Sequence, residues 1–412
     1  MGSFAAPLSG LTAAQDQLQS VSNNLANIDT DGYKDQTLTF SDIFAQTGVT
    51  NGAGDPIQTG SGVSVSSTVS NFTEGNLNAT GTASNMALSG NGFFVTLNST
   101  GLHDFTRNGD FTTNNQGQLV TPNGELLLGY PSVGGVINSS APLQPLKVGN
   151  LTSPASASTT IGITANLDSE TAVGGTASSS LSIYDSLGTA HVVTVSYTKT
   201  AANTWNYTVS VPSSDITGGT GANTTVGSGT LNFNNSGVLA STTNVVAISI
   251  PNLADGAASP LALSGPFGTA ASPTITQTAA ASTTSATTTD GFASGTLTTY
   301  AVQPDGTVQG TFSSGNTLAL GQVAVASFSN TQGLVSVGNN NYQPSAASGA
   351  AVIGVAGTGG RGTIVGGSVE QSNVDIATEF AKLIVAQQAY SSNAKTITTF
   401  NQVSQATLAM LQ

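Results

Sequence analysis

Two apolar stripes, one at each end of the chain, constrain the fold more than anything between them. Near the start, Phe4, Leu8, Leu11, Ala14, Leu18, Val21, Leu25 and Ile28 recur at spacings of three and four, the heptad-type repeat of an amphipathic helix. No Gly or Pro falls between Leu11 and Ile28, and Asp29-Thr30-Asp31-Gly32 reads as a stop. Toward the end, Ile376, Phe380, Leu383, Gln387, Tyr390, Ala394, Ile397, Asn401, Ser404, Leu408 and Leu411 keep the same rhythm, with no Gly or Pro after Ser368. Gln387, Asn401 and Ser404 are polar residues on the stripe, of the kind that fix register at some cost in stability. Ser372-Asn373-Val374-Asp375 supplies capping residues at the expected start. Each stripe needs a partner, and the obvious partner for one is the other. The pattern predicts paired terminal helices; a helical hairpin packed on the chain's own core fits the same periodicity.

The long middle has the period of strands. Gly62–Ser66, Gly92–Leu97, Val192–Tyr197, Trp205–Val211 and Gln322–Phe328 alternate or run apolar with a β-branched bias, between Gly, Asn and Asp turns. No helical pattern separates them, which argues for antiparallel sheets and against a doubly wound α/β fold. The expected class is therefore mainly β with paired terminal α-helices. Composition shifts to Ser, Thr and Ala at Leu151–Thr160 and Thr276–Asp290, read as the exit to and return from an inserted β domain. The low-complexity stretch Ala279–Thr289 is expected to be a loop.

Composition excludes several kinds of function. Only 7% of the 412 residues are charged and the net charge is −13, so a phosphate-binding footprint is missing and no nucleic-acid partner is expected. The basic residues Lys34, Arg107, Lys147, Lys199, Arg361, Lys382 and Lys395 are scattered. There is no cysteine, which removes thiolate metal sites, disulfides and a cysteine nucleophile. No apolar run reaches the roughly 18 residues of a membrane span, so no membrane insertion is expected. The first residues lack the basic and continuous apolar regions of a cleaved secretory signal.

The chemical motifs are equally thin. His103 and His191 lie in separate β segments and read as ordinary half-buried histidines, without a G-x-S-x-G elbow. Gly357–Gly362 matches G-x-G-x-x-G, but no helix pattern follows it, and 49 glycines make a chance match unsurprising. Asp29–Gly32 lacks the glycine spacing and the later Glu of a calcium loop. Glu74 and Glu125 are isolated, so no carboxylate pair for hydrolysis is evident. No catalytic residue, metal ligand or cofactor is expected, and the chain does not read as an enzyme.

Three groups of residues carry a resemblance. Ser9-Gly10-Leu11, Ser22-Asn23-Asn24-Leu25-Ala26-Asn27-Ile28 and Thr30-Asp31-Gly32-Tyr33-Lys34 resemble the N-terminal signature of the bacterial flagellar rod and hook axial proteins. Gly367–Asp375, Glu379, Leu383-Ile384, Ala386–Tyr390 and Asn393 resemble the C-terminal signature, with Gln388 where that family usually has Arg. Between them, Ala165–Ser169, Ile183–His191, Trp205-Asn206-Tyr207 and Gly229–Leu239 are similar to the inserted outer domain of the hook members. Asn23, Asn24 and Asn27 are poor helix formers on a helical stripe, which suggests packing or hydrogen-bonding work.

The resemblance implies a self-assembling structural subunit of the flagellar hook, a helical homopolymer outside the cell. A distal rod protein and, in another class, a secreted β-rich adhesin are the alternatives. It also implies four parts. These are a terminal helical inner domain (1–30 with 370–412), a connecting segment (31–70 with 358–369), an inner β domain (71–147 with 291–357) and an inserted outer β domain (148–290). The assembly interface is expected at Leu8, Leu11, Leu18, Val21, Asn23, Asn24, Leu25, Asn27 and Ile28, and at Ile376, Phe380, Leu383, Gln387, Tyr390, Ile397, Leu408 and Leu411. Implied partners are the distal rod protein, the hook cap protein, the hook–filament junction protein and the flagellar export apparatus.

Overall fold

The computed structural model describes residues 4–43, 60–243, 248–269 and 272–410. It is mainly β, with antiparallel sheets and one long helix toward each terminus: α1, Ala5–Ala26, and α2, Ile376–Met410. The chain forms two compact units. One comprises residues 1–149, 300–310 and 318–412; the other comprises 150–299 and 311–317.

In the first unit, β1 (Gln36–Asp42) and β2 (Val63–Ser70) form an antiparallel pair with a bulge at Thr39/Phe40. A larger sheet is built on strand Phe93–Leu97, which pairs with His103–Thr106, Leu126–Val133 and Thr317–Ser327. Successive strand residues point to opposite faces, and here both faces are apolar. Phe94, Leu127, Val323 and Val325 enter one core with Met86, Leu88 and Phe111. Phe93, Val95, Leu128, Tyr130, Ala324 and Ala326 enter another with Phe105 and Tyr342. That is why Gly92–Leu97 and Gln322–Phe328 read as nearly continuous apolar runs: a strand covered on both sides has no polar face to show.

The second unit carries a five-stranded antiparallel sheet in chain order: Thr176–Tyr184, Ala190–Ala201, Thr204–Pro212, Asn223–Phe233 and Leu239–Thr243. Strict alternation buries Val193, Val195 and Tyr197 on one strand and Trp205, Tyr207, Val209 and Val211 on the next. Trp205 is fully buried, and its indole N–H donates to Gln277 Oε1 at 3.1 Å, so the desolvated donor keeps a partner.

A second, three-stranded sheet corrects one expectation. Ala279–Thr289 is not a loop: Thr283–Thr289 is a strand running antiparallel to Ile161–Asp168, which also pairs in parallel with Ile275–Thr278. The strand hides from pattern reading because nearly all its side chains are exposed. Its threonines have the β-branched preference for strands, but without an apolar face there is no alternation to read.

Candidate functional site

The helices α1 and α2 lie antiparallel. The rings of Phe4 and Phe400 are 5.7 Å apart, Gly10 faces Asn393, and Asn24 Nδ2 donates to Glu379 Oε2 at 3.2 Å. The approach at Gly10 is close, since a Cβ there would lie 2.9 Å from Asn393 Nδ2. The strands β1 and β2 pack against α1 as well: Ser20 Oγ donates to the Gln36 carbonyl at 3.1 Å, and Val63 N donates to Ser9 Oγ at 3.1 Å.

On α1, Val21 and Asn24 are buried and Leu11, Leu18 and Leu25 half-buried, as are Asn27 and Ile28 just beyond its end; Leu8 and Asn23 are exposed. On α2, Glu379 and Ala386 are buried and Leu383, Ala389, Asn393, Ala394 and Ile397 half-buried. Ile376, Phe380, Gln387, Tyr390 and Leu408 are exposed, and Leu411 lies outside the described residues. The covered row of α2 is therefore displaced by about one residue from the heptad stripe. Ile384 and Val385 add to the uncovered apolar surface, at 57% and 64% exposure.

The register also leaves an overhang. Phe4 stands opposite Phe400, so no described residue of α1 runs beside residues 401–410, all of which are exposed. At 1.5 Å per residue this is about 15 Å of helix, carrying Val403, Leu408 and Met410.

The asparagines on the α1 stripe have defined partners. The Asn24 amide nitrogen faces Asp35 Oδ1 at 2.5 Å and the Gln36 carbonyl at 2.9 Å, and its oxygen accepts from Gln36 N and Tyr33 Oη. Asn23 Nδ2 donates to Tyr33 Oη, while Asn27 returns to the Asn23 carbonyl and accepts from Thr30 Oγ1. Burial, with Asp35 and Glu379 nearby, pushes the Tyr33 phenol up to about 12, so it remains a neutral donor. Burial raises the Asp35 carboxyl, against the pull of Lys382. At the start of α2, Asp375 Oδ1 caps Thr378 N at 2.7 Å.

An Asn24→Ala chain should lose about 1–3 kcal/mol, because the buried groups around Asp35 and Tyr33 would be left unpaired. Urea unfolding followed by the far-ultraviolet helix signal measures this. An unchanged midpoint would mean that water replaces the amide freely.

Beside this network sits a buried ion-pair knot that sequence reading missed. Two of the scattered basic residues converge on Glu370, which is fully buried: Lys34 Nζ at 2.5 Å and Arg107 Nη1 at 3.3 Å. Lys34 also donates to the Thr73 carbonyl, Gly75 N to Glu370 Oε1, and Arg107 to the carbonyls of Leu88 and Gly90. Burial lowers the pKa of both cations, with Glu370 opposing it. Gly32 completes the knot, donating its N–H to the Glu370 carbonyl at 2.7 Å. Its φ is +71°, and a Cβ would lie 2.5 Å from Asn108 N, so only glycine fits. Arg107 and Lys34 stand 263 and 336 residues from Glu370, separations that no local motif records.

Comparisons with known proteins give matches along nearly the whole chain. Residues 7–34 match the family "Flagella basal body rod protein", and residues 365–410 match "Flagellar basal body rod FlgEFG protein C-terminal". Residues 87–166 match "Flagellar hook protein FlgE/F/G D1 domain", and residues 150–292 match "Flagellar basal body protein FlaE D2 domain". The chain is 34% identical to the flagellar hook protein FlgE of Salmonella typhimurium, over 97% of this chain and 98% of that one. It is 35% identical to the Escherichia coli protein of the same name, with the same coverage. The fold is similar to the crystal structure of Helicobacter pylori flagellar hook protein FlgE2, with a TM-score of 0.51 at 15% identity, over 70% of this chain and 98% of that one.

Proposed function

Because this chain belongs to the flagellar hook protein family and is a structural subunit of the bacterial flagellar hook, we propose that it builds the hook tube by burying the free faces of its paired terminal helices between copies. One observation carries the reading. On α2, apolar side chains run round the whole axis, and only part of that surface is covered by α1. A helix apolar on all sides is stable when surrounded. Ile376, Phe380 and Ile384, four residues apart along one line, are left about half exposed in the single chain. Other copies supply the remaining cover in the polymer.

In this reading the interface uses the residues of both terminal stripes, from Leu8 to Ile28 and from Ile376 onward. The assembled tube bends while it passes torque from rod to filament, and its bore serves as the export channel. Its ends meet the distal rod, cap and junction proteins. The subunit leaves the cell through the flagellar export apparatus. A chain with 7% charged residues suits this role, since contacts that slide as the tube flexes then break few ion pairs. Among the described residues, no helix is long and apolar enough to cross a membrane.

The test is direct. Purified chain, raised in concentration and seeded with fragments of its own polymer, should grow hollow tubes under electron microscopy. A protein that stays monomeric under all such conditions would overturn the proposal.

A further inference from the structure

His191 is the second residue of the strand Ala190–Ala201 in the second unit, and both of its ring nitrogens face carboxylates. Nδ1 is 3.0 Å from Asp215 Oδ2 and Nε2 is 3.2 Å from Asp185 Oδ2, with Asp255 Oδ2 3.8 Å from Nε2. The ring is 5% exposed and the Asp185 side chain is fully buried. A neutral imidazole has one N–H and one lone pair. In either tautomer, one nitrogen would turn its lone pair toward a carboxylate oxygen at hydrogen-bond distance. Only the imidazolium donates to both sides. Among the described residues, no lysine or arginine forms an ion pair with any of these aspartates, so His191 is the one cation in contact with three carboxylates.

The aspartates belong to three separate segments. Asp185 follows the strand Thr176–Tyr184, and its Oδ1 accepts from the N–H groups of Leu187 and Thr189. Asp215 ends the short turn Ser213–Asp215. Asp255 lies between the strands Ile248–Ile250 and Leu261–Leu263. Beside the ring, the Asp215 and Asp255 segments share a short antiparallel bridge, Ile216 with Leu253, closed by Thr217 N to the Asn252 carbonyl and Ala254 N to the Asp215 carbonyl, while Ala258 N donates to Ser186 Oγ.

We propose that His191 is a proton-operated latch, whose imidazolium ties these three segments together and whose deprotonation loosens them. The ring's basicity agrees. Burial alone would lower it, but the hydrogen bonds and charges of Asp215 and Asp185 outweigh burial and raise it above the ordinary histidine value of 6.5. For Asp185, burial works upward, but hydrogen bonds with Asp255, Thr189, His191 and Leu187 bring it down to about 2. A histidine whose pKa is higher folded than unfolded adds stability that is complete below the unfolded value. That stability disappears as pH rises through the folded value. The second unit should therefore be most secure in mildly acid solution and weaken above neutrality. Its folded-to-unfolded ratio should fall about tenfold for each unit separating the two pKa values.

The experiment uses the full-length monomer. The chain has two histidines, so nitrogen-15 NMR of the rings separates buried His191 from exposed His103. At pH 6, His191 should carry protons on both nitrogens, and it should lose one only above the ordinary histidine value. Trp205, the only tryptophan, reports urea unfolding of the same unit, and His191→Gln should flatten its dependence on pH. Should that variant not fold, Asp215→Asn decides, because His191 must then titrate at lower pH than in the parent. A His191 ring already neutral at pH 6, an unshifted titration in Asp215→Asn, or a titration that changes when a chelator is added would each overturn the latch.

Discussion

Replacing Glu370 with glutamine should destabilise the chain by about 3–5 kcal/mol, the usual result of removing one partner from a buried ion pair. Glutamine keeps the size of the side chain but leaves the Lys34 ammonium and the Arg107 guanidinium, both nearly inaccessible, without a counter-charge. Lysine can escape by losing its proton; arginine cannot, so the strain falls mainly on Arg107 and the backbone carbonyls of Leu88 and Gly90 that hold it. The measurement is urea unfolding followed by far-ultraviolet circular dichroism. A companion chain with Lys34→Met, Arg107→Met and Glu370→Leu tests the cause, because replacing the whole knot by apolar residues removes the unpaired charge and should recover much of the loss. A triple variant as unstable as the single one would show that packing, rather than charge, sets the cost.

Ile384→Asp should raise the concentration needed for polymerisation by about a thousandfold while barely changing the monomer. Burying an isoleucine contributes about 1.5–3 kcal/mol, and burying a carboxylate adds a penalty of several kcal/mol. A combined loss of about 4 kcal/mol corresponds to three decades. In the single chain Ile384 is 57% exposed, so the monomer should lose no more than about 1 kcal/mol. Leu383→Asp is the contrast: Leu383 is half-buried on the row that includes Ala386, so that change should harm both fold and polymer. Seeded growth under the electron microscope and monomer melting, read together, separate the two. Normal tubes from Ile384→Asp would place the free face of α2 outside the subunit contacts.

What the sequence discloses depends on distance along the chain. Helices at both ends are legible because their apolar residues return every three or four positions, and most strands because theirs alternate or run together. The three asparagines near the end of α1 stand out as poor helix formers with a reason to be there, and the partners of Asn24 supply it. The face of α2 that meets α1 was not legible. With apolar residues on every side, periodicity cannot say whether Phe380 or Ala386 turns inward. Thr283–Thr289 escaped because an exposed threonine strand has no apolar beat. The Glu370 knot and the aspartates around His191 escaped for a third reason. Each joins residues whose only relation is spatial, and Asp185, Asp215 and Asp255 look like any turn aspartate until the chain is folded.

The Lys34–Glu370 contact also imposes an order in time. Lys34 and Glu370 are 336 residues apart along the chain. Whichever of the two emerges first, the whole stretch between them must be delivered before the two charges can meet. Closing so large a loop adds only a slowly growing entropy cost, so the delay is one of sequence rather than energy. Until then the leading helix has no helical partner, and the charge beside it stays in water. A chain lacking either Lys34 or Glu370 cannot close the knot, whatever its sheets have already done.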